Sequence, residues 1–342
     1  MVFFSLFINA ILLKFATTLG IREKEGAIIR WSSVSKPALG GLSFYISFLI
    51  SSASFGIFFD NQTVFQDNGT LALMASTAIA FLMGLADDAY DTKPLLKFAV
   101  QLLCGVILIF SNNYIQLFDI ELLNYIITIF WVIGIMNSIN MLDNMDGITT
   151  SVSIAIIAIC MISAAFAGKE TSFEFMAMVG ICASLVGFLF FNWHPSKMFM
   201  GDTGSQFLGM FLAYLSVKFL WNGELFGGTQ TISQQICQVL VAFVIPISDT
   251  STVFINRIAR GQSPFVGGKD HTTHHLSYLG LSDSQVGFVY LGVNLFSILL
   301  SIAIFRFIDL WKGYHTLGFV AYFLIVFVTL FAISQMNKDK RI

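Results

Sequence analysis

Carboxylates and amides gather at a few points in this chain, and their spacing suggests work on a phosphate held by a cation. In GLADDAYDTK, Asp87 and Asp88 are adjacent and Asp91 follows three residues later. Charges this close repel unless a proton, a lysine or a divalent ion relieves them. Hard oxygen donors suit Mg²⁺, and a phosphate substrate would bring one with it. Lys93 and Lys97 offer the simpler alternative, a neutralised acidic loop. In NSINMLDNMDG, Asn137, Asn140 and Asp143 share a helical face, with Asp146 one turn further. Capping a helix end would use one such residue, not four at a regular interval.

A third stretch, NWHPSKMFMGDTGS, holds Asn192 and Lys197 and then sets Asp202 between Gly201 and Gly204, just before an apolar run. Glycines admit close backbone approach and a helix N-terminus favours phosphate oxygens, so Asp202 could hold a metal against a phosphate. A plain N-cap is the alternative. The fourth stretch follows Arg257 and Arg260: GGKDHTTHHL, with His271, His274 and His275. A basic, histidine-rich loop suits a diphosphate. Zinc competes, because His271 and His274 are three apart, but neither an HExxH pattern nor a nearby cysteine accompanies them. The segment KPALGG, from Lys36 to Gly41, reads as a helix start with packing glycines.

The elements that must position these groups are apolar. The chain of 342 residues is 56% hydrophobic and 11% charged, against about 25% charged in soluble domains. Lipid must therefore be much of its solvent. Eleven apolar stretches of near-spanning length lie around 2–20, 38–59, 69–86, 95–111, 120–137, 151–168, 174–191, 204–221, 235–252, 286–306 and 314–335. They predict an all-α, polytopic membrane bundle forming one integral-membrane domain over 1–342, with neither a repeat nor a linker to divide it. The first stretch contains Lys14 and no cleavage site, so it reads as a membrane helix and not a removable signal. The cysteines, Cys104, Cys160, Cys182 and Cys237, sit in apolar runs and suggest neither disulfides nor a thiolate metal site.

Basic residues orient the bundle. One set of alternate loops, with the C-terminal tail, carries Arg22, Lys24, Arg30, Lys36, Lys93, Lys97, Lys197, Arg257, Arg260, Lys269, Lys338, Lys340 and Arg341; the other carries Lys169, Lys218, Arg306 and Lys312. Retention of Lys and Arg in the cytoplasm puts the N-terminus outside and the C-terminus inside. The polar stretches then all fall at inner helix ends, where ionised groups beside lipid are functional candidates. Outer acids (Asp60, Asp67, Asp119, Glu121, Glu170, Glu174, Glu224, Asp309) are scattered as solvated loop residues would be. A net charge of -2 gives no pointer to a nucleic-acid partner.

From about Lys36 to Leu276, in block order, the chain resembles the polyprenyl-phosphate N-acetylhexosamine-1-phosphate transferase family. The resemblance implies an enzyme of the bacterial inner membrane with its active site on the cytoplasmic face, dependent on Mg²⁺ with Mn²⁺ as a substitute. Undecaprenyl phosphate would attack the β-phosphorus of a UDP-N-acetylhexosamine and release UMP, either directly or by a double displacement through an aspartyl-phosphate. Direct attack is favoured because a phosphate dianion hardly needs a protein nucleophile. Asp87 and Asp88 would handle the lipid phosphate or the metal, and Asn140 and Asp202 would be metal ligands. Asn137, Asp143 and Asp146 would serve the nucleotide-sugar or orient the metal site, with Asn192 and Lys197 in the substrate-binding set. His271, His274 and His275 would contact the donor diphosphate. UDP-N-acetylglucosamine is the first expected donor and UDP-muramoyl-pentapeptide the alternative; the assembly is left open between monomer and homodimer. The chain departs from the family pattern at Asn144, where a glycine is usual, in DHTTHH, and in lacking a basic run with histidine before Lys36. A secondary transporter, the non-enzyme alternative, would want acids near mid-span and related halves, and the sequence has neither.

Overall fold

The computed structural model describes residues 1–16, 36–58, 66–225, 228–263, 268–308 and 310–337. Its helices run α1 (Val2–Phe15), α2 (Gly40–Phe58), α3 (Asn68–Tyr90), α4 (Pro94–Phe110), α5 (Glu121–Leu142), α6 (Ile148–Phe166), α7 (Phe173–Asn192) and α8 (Gly201–Ser216). A π-helical turn, Val217–Trp221, prolongs α8 into a short antiparallel hairpin, β1 (Glu224–Leu225) with β2 (Gly228–Thr229). Then come α9 (Ile232–Ala242), α10 (Val244–Ala259), α11 (Thr272–Tyr278), α12 (Asp283–Phe307) and α13 (Gly313–Met336). Arg22, Lys24, Arg30, Lys338, Lys340 and Arg341 of the basic set, the segment before Lys36, Asp60, Gly267 and Asp309 lie outside the described residues.

The protein is a polytopic helical membrane protein. Among the described residues, helices α2, α3, α5, α6, α7, α12 and α13, seven in all, are long and apolar enough to cross a bilayer, or eight if α9 and α10 count as one bent span. The shorter α1 and α4 are also apolar.

Three expectations about element boundaries need correction. The stretch 235–252 is not one helix: α9 and α10 meet at 76°. Pro246 lacks an amide hydrogen, and its ring would collide with the carbonyl of Ala242 in a straight helix, so the chain breaks just before it. Helices α3 and α5 run on past 86 and 137, so that Asp87, Asp88 and Asn140 stand on their final turns, at helix ends as expected. The histidine segment is helical from Thr272, as α11.

Helix α8 is the axis of the bundle: every residue from Thr203 to Ser216 is buried. Helices α2 and α3 close on its N-terminal end through glycine. A Cβ on Gly41 would lie 2.2 Å from the Gly204 nitrogen, and one on Gly84 would lie 2.2 Å from the Asp202 carbonyl oxygen. Backbone thus meets backbone where the site forms. Further along, Tyr45, Phe48, Phe81, Phe207 and Phe211 form an aromatic cluster, with Tyr45 and Phe81 stacked at 4.0 Å. Lipid removes the usual hydrophobic drive between helices, so small residues and hydroxyls carry other seams. On the α1–α7 seam Ser5 donates to the Ser184 carbonyl at 2.7 Å, and Ser47 of α2 donates to the Ser184 hydroxyl at 3.0 Å. By contrast, α13 buries only Leu330 and Ser334.

At the end of the bundle opposite the α8 N-terminus, two of the acids expected to be solvated are engaged. Asp67 caps α3 through the Thr70 amide at 2.8 Å. Glu174 is buried on the first turn of α7, ion-paired to Lys218 of the π turn and 3.3 Å from the Tyr214 hydroxyl. The π turn continues α8 and so carries a lysine back into the core beside that carboxylate.

Candidate active site

The polar stretches meet where α3 and α5 end and α8 begins. Like every helix, α8 starts with amide groups that have no intrahelical partner. Its own N-cap residue, Met200, supplies no side-chain acceptor. Asp88 supplies it from α3 instead: one oxygen accepts from the Asp202 amide at 3.0 Å, the other from the Thr203 amide at 2.8 Å and the Thr203 hydroxyl at 2.7 Å. A carboxylate at a helix N-terminus is favoured by both the amides and the dipole. Gly201 has φ +72°, and a Cβ there would meet Asp88 Oδ2 at 2.7 Å, so glycine is required on both counts.

Asp87 is buried and faces the other way. Its Oδ1 accepts from the Thr92 amide at 2.9 Å and hydroxyl at 2.6 Å, while its Oδ2 pairs with the Lys97 ammonium. Lys97 also lies 3.4 Å from Asp202 Oδ2. Asn140, on the last turn of α5, donates to Asp202 Oδ1 at 2.6 Å and to the Ser205 hydroxyl at 2.8 Å. Asp87, Asp88, Asn140 and Asp202 therefore form one connected group, with Lys97 bridging two of its acids. Asn137 is on the same face of α5 but in a buried amide cluster, 2.8 Å from Gln101 Oε1, with Gln101 in turn 3.2 Å from Gln206. Asp143 follows α5 as its C-cap residue.

The remaining members of the second and third stretches hold loops together. Asp146 accepts from the Ser196 amide at 2.9 Å and hydroxyl at 2.7 Å, with His194 at 3.2 Å and Lys36 at 3.6 Å. Asn192 accepts from the Gly147 amide and the Thr150 hydroxyl and donates to the Met198 carbonyl. Lys197 is exposed. The segment from Lys36 joins this layer: Phe199 donates to the Pro37 carbonyl at 2.9 Å, and Gly40 and Gly41 donate to Phe199 and Met200.

The histidines form a second group on α11, and all of their rings are buried. His271 Nδ1 lies 2.9 Å from Asp249 Oδ2, and Asp249 Oδ1 accepts from the Thr272 amide at 2.8 Å and hydroxyl at 2.5 Å. Burial, and then the neighbouring His271, push the His274 pKa down to about 3, which keeps that ring neutral. Burial alone would raise the Asp270 carboxyl, but hydrogen bonds from Arg257 and Arg260 hold it well below the usual carboxylate range.

Asp249, Gln101 and Gln206 were missed in the sequence, although each is a polar residue inside an apolar run, which is itself the signal. Among the described residues, no group of three His, Cys, Asp or Glu side chains is arranged to hold a metal. The Asp202 carboxylate, the Ser205 hydroxyl and, with its amide turned to present Oδ1, Asn140 nevertheless supply hard oxygens. Mg²⁺ commonly takes one or two carboxylates and completes its shell with water and substrate phosphate, so this set fits that ion.

Comparison with known proteins bears on what such a site does. The sequence profile of glycosyl transferase family 4 matches residues 70–220. A probable undecaprenyl-phosphate N-acetylglucosaminyl 1-phosphate transferase of Bacillus subtilis is 29% identical over 306 residues, covering 86% of this chain and 79% of that protein. A phospho-N-acetylmuramoyl-pentapeptide-transferase of Staphylococcus saprophyticus is 30% identical over 321 residues, covering 86% of this chain and 89% of its own. Its counterpart in Staphylococcus aureus is 28% identical over 324 residues, with 86% and 90% covered.

Proposed function

The chain belongs to glycosyl transferase family 4, and on that premise we propose that it transfers N-acetylglucosamine-1-phosphate from UDP-N-acetylglucosamine to undecaprenyl phosphate. The reaction would release UMP and open a cell-envelope polysaccharide pathway at the cytoplasmic face of a bacterial inner membrane. The observation that supports it best is the joining of Asp88, Asp202 and Asn140 by direct hydrogen bonds at one end of the bundle. The similarity to phospho-N-acetylmuramoyl-pentapeptide-transferases keeps the muramoyl-pentapeptide donor as the second reading.

In this reading an oxygen of the lipid phosphate forms a bond to the donor's β-phosphorus. The bond from that phosphorus to the bridging oxygen breaks, and its electron pair leaves on UMP. Both reactants are anionic, so charge neutralisation and placement outweigh proton transfer, and a phosphate dianion needs no protein nucleophile. Asp202 and Asn140 would hold Mg²⁺, or Mn²⁺ in its place; when bound, it offsets charge on the donor phosphates. Lys97 lies between Asp87 and Asp202 and places a positive charge where the lipid phosphate would come. Asp87 fixes that lysine, and Asp88 fixes the backbone of Asp202.

The decisive assay incubates purified protein with undecaprenyl phosphate and a panel of UDP-sugars and scores UMP. Release with UDP-N-acetylglucosamine, its loss in EDTA and its return with Mg²⁺ are expected, and Asp202→Ala should abolish it while still inserting in membranes. Full turnover in chelator would exclude the metal role, and release with the muramoyl-pentapeptide donor alone would select the second reading.

A further inference from the structure

The acid group and the histidine helix are built by different parts of the chain, and a transfer between two phosphates needs them in register. Most of the described supports of α11 come from later elements. Arg257 of α10 and Arg260 just after it hold Asp270, Asp249 of α10 holds His271 and Thr272, Tyr290 of α12 meets the Thr272 hydroxyl at 2.6 Å, and Asn337 beyond α13 donates to the His275 carbonyl at 3.2 Å. A contact to the acid half is made at Asn144. Its Oδ1 accepts the Thr273 hydroxyl at 2.5 Å, and its Nδ2 donates to the Met141 carbonyl at 2.9 Å. Asn144 thus holds α11 at Thr273 while tied to the last turn of α5. That turn carries Asn140, bonded to Asp202 at 2.6 Å.

We propose that Asn144 is a positioning residue that sets the histidine helix in register with the Asp202–Asn140 group through its bond to Thr273, so that one donor diphosphate reaches both. This deepens the proposed function and rests on it for the identity of the donor. The carboxamide suits the place: a shorter side chain would lose both bonds, and a glycine would leave Thr273 without this acceptor.

The test uses the full chain in lipid nanodiscs, with Asn144→Ala, Thr273→Val, Thr273→Ser and the double variant Asn144→Ala/Thr273→Val. Hydrogen exchange over residues 272–278 should speed up about tenfold in the alanine and valine variants, the scale of one lost hydrogen bond. It should stay near wild type in Thr273→Ser, and the double variant should be no faster than Asn144→Ala. Steady-state assays should show KM for UDP-N-acetylglucosamine rising by a similar factor, with KM for undecaprenyl phosphate within twofold. Unchanged exchange in Thr273→Val, or a Thr273→Ser variant as perturbed as Thr273→Val, overturns the proposal. So does an equal rise in both KM values. A wild-type protein that releases no UMP from any UDP-sugar defeats the functional reading instead, while the exchange measurement still decides the link between Asn144 and Thr273.

Discussion

Replacing Asp88 by asparagine separates a structural carboxylate from a chemical one. The Asp88 oxygens accept three hydrogen bonds, from the Asp202 amide, the Thr203 amide and the Thr203 hydroxyl. Asparagine has one acceptor and a donor pair, so whichever way it turns, an NH₂ faces a backbone N–H. The better orientation keeps Thr203 bonded and opposes the Asp202 amide. One bond to a charged acceptor, worth about 1.5–3 kcal/mol, is then lost, and the other two weaken because the charge is gone. A total near 3 kcal/mol follows, falling on the residue that would hold the metal. If all of it is spent on misplacing Asp202, the rate falls about 100-fold, since about 1.4 kcal/mol is tenfold. Titrating UMP release against Mg²⁺, beside a thermal melt, reads both consequences. Asp88→Asn should need more Mg²⁺ for half-maximal activity and should melt earlier. An inactive variant with wild-type melting and wild-type Mg²⁺ dependence in binding would refute the reasoning, because Asp88 would then act on the substrate itself.

Other perturbations test other parts of the fold. Gly84→Ala puts a methyl 2.2 Å from the Asp202 carbonyl oxygen, so α3 must back away from α8; both melting temperature and activity should drop, and wild-type values in both would contradict that contact. Burial holds the folded pKa of His274 near 3 against 6.5 for the free side chain, so its contribution to stability is full above pH 6.5 and declines as pH falls toward 3. Between pH 8 and pH 5 this amounts to about 2 kcal/mol, and melts of His274→Gln should show a correspondingly flatter dependence; equal slopes would disprove the assignment. Glu174→Ala should cost about 2–3 kcal/mol by stranding the Lys218 charge in the core. Its UMP release at 25 °C should stay near wild type, and Glu174→Gln with Lys218→Met should recover much of the melting temperature; a catalytic defect at 25 °C would contradict a purely structural pair.

Much of this was legible in the sequence because a helix in lipid must be apolar along its length. Each of the eleven apolar stretches carries helix among its described residues, one of them bent, and a polar block at the end of such a stretch stands out. The family resemblance pairs Asn140 and Asp202 as ligands, and they lie within hydrogen-bonding distance. The bend before Pro246 was missed because hydropathy carries straight across it, whereas the ring's clash with Ala242 depends on backbone geometry. Helix α11, at seven residues, is too short for periodicity to register. Its supports, Asp249 and Asn144, belong to segments distant in sequence. Adjacent Asp87 and Asp88 looked equivalent as letters. Successive positions on a helix point in different directions, so one turns toward Lys97 and the other toward the start of α8. Asp146 and Asn192 drew attention as polar side chains in a promising motif, and only tertiary structure showed them saturated by the loop of Ser196 and the turn of Gly147.

The missing side chains of Gly41 and Gly84 have a consequence for how such a protein can diversify. Where two helix backbones rest directly on the start of α8, the location of Asp202 is dictated by main-chain atoms, which mutation of neighbouring side chains barely shifts. The acid end is therefore a fixed jaw. Helix α11 hangs from side-chain bonds contributed by four separate segments, each replaceable on its own, so on the proposed function it would be the adjustable jaw, where the gap could be retuned for a different donor without loosening the other side.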